Sequence, residues 1–221
     1  MPTQTTAETK PIFGSGIYSF PAASRLLRSR DPDITSRRLH YWIESGLAPP
    51  AYARSGSSDL LSFLDLVSLE VVRRLRRAGA SLQGIRRAEL EMRRHHPDQQ
   101  RPFAYKQFFT DGSAIWVASN PKEDDVLELH GVRRGHMAWK QAIATFADEI
   151  RYEHDVAASW ALSDWVELDP AIQFGAPVIR GTRITVATIE AELELATAEE
   201  VADWHGLDPE FVDAVRAYLA A

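Results

Sequence analysis

Arg37, Arg38 and His40 follow closely on Thr35 in the stretch Ile34-Thr35-Ser36-Arg37-Arg38-Leu39-His40-Tyr41-Trp42-Ile43-Glu44-Ser45-Gly46-Leu47. A guanidinium is a planar fork of donors that fits a phosphate or the acceptor edge of guanine, and an imidazole adds a further polar edge. Side chains of this kind read DNA when the first turns of a helix aim them into a groove. The candidate DNA face is therefore Thr35, Ser36, Arg37, Arg38, His40 and Tyr41. Arg25, Arg28 or Arg30 is placed for the phosphate backbone and Arg54 for contact from a neighbouring loop. Of the two aromatic residues, both Tyr41 and Trp42 read as packing groups more than as base readers.

Other chemistry finds no constellation. With no cysteine, disulfides, thiol catalysis and thiolate metal sites are excluded together. The seven histidines are scattered, and the adjacent His95-His96 would face different sides of any helix. Asp111, Asp124 and Asp125 lie in turn-like sequence with no partnered base, and Asp164, Glu167 and Asp169 read as a solvated acidic patch. Nothing pairs a nucleophile with a base or builds a phosphate loop, so the expectation is no enzyme, no metal and no cofactor. Arg73, Arg74, Arg76, Arg77, Arg86, Arg87, Arg93 and Arg94 are too many for one DNA footprint and should mostly be solvated or paired with acidic neighbours.

The helix that must carry Arg37 and Arg38 is legible. Thr35 is an N-cap, Leu39, Trp42 and Ile43 make one apolar face, and Gly46 supplies a left-handed stop. Before it, Ser19 caps a short helix with Pro21 in its first turn, and Asp31-Pro32-Asp33 breaks the two apart. Residues 51–59, centred on Arg54-Ser55-Gly56-Ser57-Ser58, are long enough for a wing. Ser62 then caps a helix whose Leu64, Val67, Val71 and Leu75 form a stripe. Ser81 caps another, with Leu82, Ile85, Ala88 and Leu90 or Met92 inward, until Pro97. Farther on, Phe103, Tyr105, Phe108 and Phe109, then Asp111-Gly112 and Ile115-Trp116-Val117, read as a hairpin. Val126 to Leu129 is a possible third strand. Met137 to Ile150 has the period of an amphipathic helix, with Trp139, Ala142, Ile143, Phe146 and Ile150 on one side. Two short strands around a glycine turn are expected within 166–186, with Gly181 at positive φ. Helices follow at 186–195, 198–205 and 209–219, the second opened by the capping box Thr197-x-x-Glu200 and the third by Asp208-Pro209.

Charge divides the chain. Residues 19–101 hold fifteen Lys and Arg against nine Asp and Glu, whereas 102–221 hold nine against twenty-one. The basic half can lie on phosphates and the acidic half would be repelled by them. A second helix-turn-helix pattern at Ala202, Gly206, Val212 and Val215 falls in the acidic half. Its would-be reading helix has Glu210 and Asp213 against Arg216, so it reads as a protein-binding module. No apolar run approaches the ~20 residues of a membrane span, so no membrane partner is expected and the cytoplasm is the default.

The order of helix, turn, basic helix, wing and helix resembles the DNA-binding domain of the MerR family over residues 17 to about 94. The likeness rests on Tyr18, Ala23, Arg37-x-Leu39-x-Tyr41-Trp42, Gly46-Leu47-x-Pro49 and Leu75-Arg76-x-x-Gly79-x-Ser81-Leu82-x-x-Ile85-Arg86. It implies a homodimer that places the second helix in the major groove and the wing over the backbone. The long dimer helix of that family is cut short here at Pro97, so pairing on an operator is expected to depend on the acidic half. The string Gly175-x-Pro177-Val178-Ile179-x-Gly181-Thr182-Arg183-Ile184-x-Val186 is similar to the family called domain of unknown function 433, over about Trp165 to Tyr218. That family occurs in antitoxins paired with PIN-type ribonucleases, so the whole chain resembles a VapB-type antitoxin. The resemblance implies a toxin-binding surface, for which Arg133, Arg134, Trp160, Arg180 and Arg183 are the candidates. One of these arginines would enter the acidic metal site of the ribonuclease and oppose Mg²⁺. For Arg183 the preferred reading is a tie between the hairpin and a helix carboxylate, with the ribonuclease role second.

The expected fold is mainly α with small β elements. It comprises a disordered tail (1–16), a winged helix-turn-helix (17–97), a central β-hairpin plus helix that connects or binds a partner (102–160), and a C-terminal helix-turn-helix-like domain preceded by a short hairpin (165–221). The expected function is an antitoxin that binds operator DNA to repress its own operon and blocks a PIN-domain ribonuclease. The alternative is a MerR-like regulator whose central region senses a small molecule.

Overall fold

The computed structural model describes residues 16–47, 60–99, 101–106, 108 and 144–220. The chain enters through β1 (Tyr18–Ser19), which pairs antiparallel with β2 (Leu60–Leu61), Tyr18 opposite Leu61. Between these strands come α1 (Phe20–Arg28) and α2 (Ser36–Glu44). Ser19 accepts a hydrogen bond from the Ala22 N–H and Thr35 one from the Arg38 N–H, so each helix start has its cap. At the end of α2, Gly46 takes φ +85°, its N–H bonds to the Ile43 carbonyl, and the Leu47 N–H bonds to that of Trp42. The paired bonds are a Schellman stop. Burying Leu39, Trp42 and Ile43 against α1 stabilises this arrangement by roughly 1.5–3 kcal/mol for each side chain.

The next helix, α3 (Phe63–Arg77), opens with a reciprocal capping box between Ser62 and Asp65. Sequence periodicity gives it one apolar stripe, but it is buried on nearly every side from Phe63 to Arg73, Asp65, Ser68 and Glu70 included. It can afford those polar residues because each has a partner: Arg101 binds Asp65, the Leu64 carbonyl accepts from Ser68, and Arg73 and Arg74 both bind Glu70. α4 (Leu82–His95) is capped by Ser81 and buries Ile85, Ala88 and Met92; Leu90 is exposed, so Met92 is the inward residue of that pair.

Two expectations for the middle of the chain change. Pro102–Ala104 is a 3-10 turn rather than the arm of a hairpin, and Tyr105 bridges to Val156; the Asp111-Gly112 turn and its flanks lie outside the described residues. Residues 144–149 are helical as expected, but Ile150 opens a strand instead of closing the helix. That strand, β3 (Ile150–Glu153), starts an antiparallel meander with β4 (Val156–Ala161), β5 (Val166–Leu168) and β6 (Pro177–Ile179), in that spatial order. Gly181 has φ +76°, as its turn position required.

Three helices complete the chain: α5 (Val186–Leu193), α6 (Ala198–His205) and α7 (Pro209–Ala220). Thr197 and Glu200 form the anticipated capping box. Val166, Ile179, Ile189, Val201, Val212 and Val215 bury one apolar cluster here, while the larger cluster runs from Tyr18 through α1–α4 to Phe146, Ile150, Trp160 and Leu168. The fold is mainly α with small antiparallel β elements. No described helix is long and apolar enough to cross a membrane.

Candidate nucleic-acid interface

α2 turns its polar side outward because Leu39, Trp42 and Ile43 hold the other side in the core. Arg37, Arg38 and Tyr41 are exposed on the free side. Tyr41 is 56% exposed, so it belongs to the outer face and not to the packing assigned to it with Trp42, which is 4% exposed. Arg37 and, on α1, Arg25 make no hydrogen bond or ion pair to another described residue, so both guanidinium groups face water with their donors available. Arg38 donates through Nη1 to the Asp33 carbonyl, 3.0 Å away, which draws its side chain toward the turn before α2. Thr35 serves as the cap, and Ser36 is the first helical residue beside it.

Two of the candidates have structural duties. Arg28 donates Nε to the Ile34 carbonyl at 3.1 Å and so ties α1 to the connection into α2. The ring of His40 stacks on that of Phe20, centroids 3.9 Å apart and planes 17° from parallel, while its Nδ1 lies 3.9 Å from Glu44. One face of the imidazole is thus packing between α1 and α2. Arg54 and the expected wing lie outside the described residues.

The candidates for protein contact separate further. Trp160 is fully buried, packs edge-on to Phe146 at 5.2 Å and donates its indole N–H to Glu149, so it has no ring face left for a partner. Its place in the sequence, after small residues, hid its position at the centre of the sheet. Arg180 is the arginine that ties the hairpin together: its Nε lies 3.9 Å from the Glu167 carboxylate and its Nη1 donates to the Asp164 carbonyl. Arg183, expected to make such a tie, is exposed and forms no ion pair with another described residue; its carbonyl accepts from Gln173. Arg133 and Arg134 lie outside the described residues.

Sequence reasoning missed Glu149. Its carboxylate receives Arg30 from the end of the first helix region at 2.6 Å, Arg74 from α3 at 2.8 Å and the Trp160 indole from β4 at 3.1 Å. Burial pushes this carboxyl up, but Arg30, Arg74 and the indole N–H outweigh burial and hold it below its ordinary value. Arg30, a candidate for the phosphate backbone, also donates to the Leu162 carbonyl, so both terminal nitrogens of its guanidinium are committed inside the fold. In sequence, Glu149 had only the look of a solvent-facing helical residue. Among the described residues no group of His, Asp and Glu is arranged to hold a metal ion.

Residues 29–91 match the MerR HTH family of regulatory proteins, and residues 166–219 match the family described as protein of unknown function, DUF433. HTH-type transcriptional regulators Mb1861 of Mycobacterium bovis and Rv1830 of Mycobacterium tuberculosis are 34% identical to this chain over 93 residues. The match covers 41% of this chain and 40% of theirs, so the chain spans well under half the length of these regulators. A Mycobacterium tuberculosis protein provisionally named antitoxin VapB45 is 29% identical over 181 residues, 75% of this chain and 74% of that one. In fold, the chain is similar to the crystal structure of Rv2018 from Mycobacterium tuberculosis, with a TM-score of 0.71 over 92% of this chain and 98% of that chain at 20% identity. The chain thus joins a MerR-type helix-turn-helix segment to a DUF433-type segment.

Proposed function

We propose that this chain is a DNA-binding antitoxin, which reads an operator as a homodimer to repress its own operon and blocks a PIN-domain ribonuclease. The observation that carries the reading is the outer face of α2, where Arg37, Arg38 and Tyr41 stand exposed on a helix fixed from behind, in one chain with a DUF433-type segment. The likeness to VapB45 over three quarters of both chains supports the antitoxin half. In this reading α2 enters the major groove, Arg25 meets the phosphate backbone, and the acidic C-terminal half turns away from DNA. Arg183 is the described candidate for the ribonuclease, because its guanidinium is exposed and unpaired within the described residues. Repression and inhibition both take place in the cytoplasm.

The test for DNA reading is Arg37→Ala with Arg38→Ala. The double variant should lose operator binding in a mobility-shift titration while keeping the wild-type circular dichroism melt. Each lost phosphate contact should also lower the salt slope by about one. Equal binding by the double variant would remove α2 from the interface. For the antitoxin half, Arg183→Glu should weaken inhibition of the ribonuclease on co-expression; unaltered inhibition would exclude that arginine. A second reading, a transcription regulator with no toxin, is favoured by the likeness to HTH-type regulators, and it predicts no stable complex with any PIN-domain protein.

A further inference from the structure

We infer that the DUF433-type segment positions the operator-reading helix through a latch between Gly175 and Tyr18, an inference that rests on the DNA-reading proposal above. Gln173, Phe174 and Gly175 are consecutive left-handed residues, with φ of 47°, 56° and 84°. Residues other than glycine avoid this region, so neighbouring contacts must hold the loop there. Three hydrogen bonds do so. The Ile17 N–H donates to the Phe174 carbonyl at 3.0 Å, the buried Tyr18 hydroxyl donates to the Gly175 carbonyl at 2.8 Å, and the Gln173 side-chain amide donates to the Arg183 carbonyl at 3.1 Å. A Cβ on residue 175 would overlap the Tyr18 hydroxyl and approach the Gly16 Cα to 3.3 Å. The glycine is therefore required twice, for its φ and for the approach of the phenol.

Tyr18 is where this contact reaches the reading helix. Tyr18 pairs with Leu61 of β2, Ser19 caps α1, and Phe20 stacks on His40 of α2. Three consecutive residues thus connect the 173–175 loop to β2, the start of α1 and a side chain on α2 beside Arg37 and Arg38. Base contacts need the donor held to a fraction of an ångström, whereas attraction to phosphates does not. Loosening the latch should accordingly weaken discrimination between sequences more than it weakens binding to DNA in general. Tyr18 and Gly175 are positioning residues in this scheme.

The experiment uses the full chain, a duplex taken from immediately upstream of its own gene and a scrambled duplex of equal length and composition, titrated by fluorescence anisotropy at one salt concentration. Tyr18→Phe removes only the hydroxyl, and Gly175→Ala forces the phenol away. Both should bind the scrambled duplex like the wild type and the upstream duplex about fivefold or more weakly, the size of a modest coupling between sites. An unchanged ratio in Tyr18→Phe overturns the latch, as does an equal fall on both duplexes, which would signal lost folded protein instead of lost positioning. A wild-type chain with no preference for the upstream duplex would overturn the DNA-reading proposal itself, and the latch with it.

Discussion

Glu89 lies on the inward side of α4, its side chain 4% exposed, with Arg93 donating to it at 2.6 Å. Burial pushes its carboxyl up to about 7, against the pull of Arg93 and the more distant Arg101. Between the ordinary value of 4.5 and about 7, the folded chain holds a proton that the unfolded chain has released. Stability supplied by this group is therefore complete below that window and lost as pH rises through it. Glu89→Gln cannot titrate, so its melting temperature should decline less than that of the wild type between pH 5 and 7. A variant that keeps the wild-type slope would place the titration on another group. Glu149 has the opposite sign: its lowered value makes it a source of stability that is present at neutral pH and lost in acid. The two carboxylates therefore favour opposite ends of the pH range.

At the scale of elements, α3 depends on charges that the hydrophobic pattern placed at its surface. Asp65 bonds both the N–H and the hydroxyl of Ser62 and also binds Arg101, all out of water. Asp65→Ala removes the reciprocal half of the capping box and takes a buried counter-charge from Arg101, which should cost roughly 3–5 kcal/mol in urea unfolding. A cost below about 1 kcal/mol, the usual worth of a helix cap, would mean that Arg101 finds water in the variant. The β3–β4 hairpin carries a smaller lever, since both residues of its two-residue turn, His154 (φ 50°) and Asp155 (φ 63°), are left-handed in the type I′ pattern. Asp155→Gly relieves one of them and should stabilise the chain by roughly 0.5–1 kcal/mol, read as a rise in the urea midpoint. The same turn explains what the sequence concealed. Ser19, Thr35, Ser62, Ser81 and Thr197 announce their helices because a cap is a local bond, so the helical parts of the fold and the outer face of α2 were legible. His-Asp lacks the Asn-Gly signature of a hairpin, and Ala157-Ala158-Ser159 lacks β-branched residues, so β3 and β4 were not. The joining of Glu149 to Arg30 and Arg74 comes from contacts across 119 and 75 residues, which no local pattern encodes.

In the whole molecule the basic and acidic halves are tied to each other and not strung apart. Glu149 neutralises Arg30 and Arg74 from the basic half, with a fifth or less of each arginine exposed. Glu149→Gln leaves both with reduced compensation and should destabilise the chain by roughly 2–3 kcal/mol, toward the lower side of a buried pair because water reaches the site. A drop of less than about 0.5 kcal/mol in chemical unfolding would class it as a surface contact. For the same reason a chain cut after Arg101 does more than remove the acidic half. It removes Phe103, Phe146, Ile150 and Trp160 from the larger apolar cluster, so the fragment should show a broad, weakly cooperative melt. The contact between Tyr18 and Gly175 joins residues 157 positions apart. A ribosome delivers the chain from its N-terminus, and at roughly 5–20 residues per second the hydroxyl of Tyr18 waits many seconds for the carbonyl it will meet. Whatever the nascent helices do in that interval, they do without their anchor. Under the latch proposal, the reading surface is thus complete only after residue 175 has been made, and a product terminated before it would be a poor competitor for the longer chain.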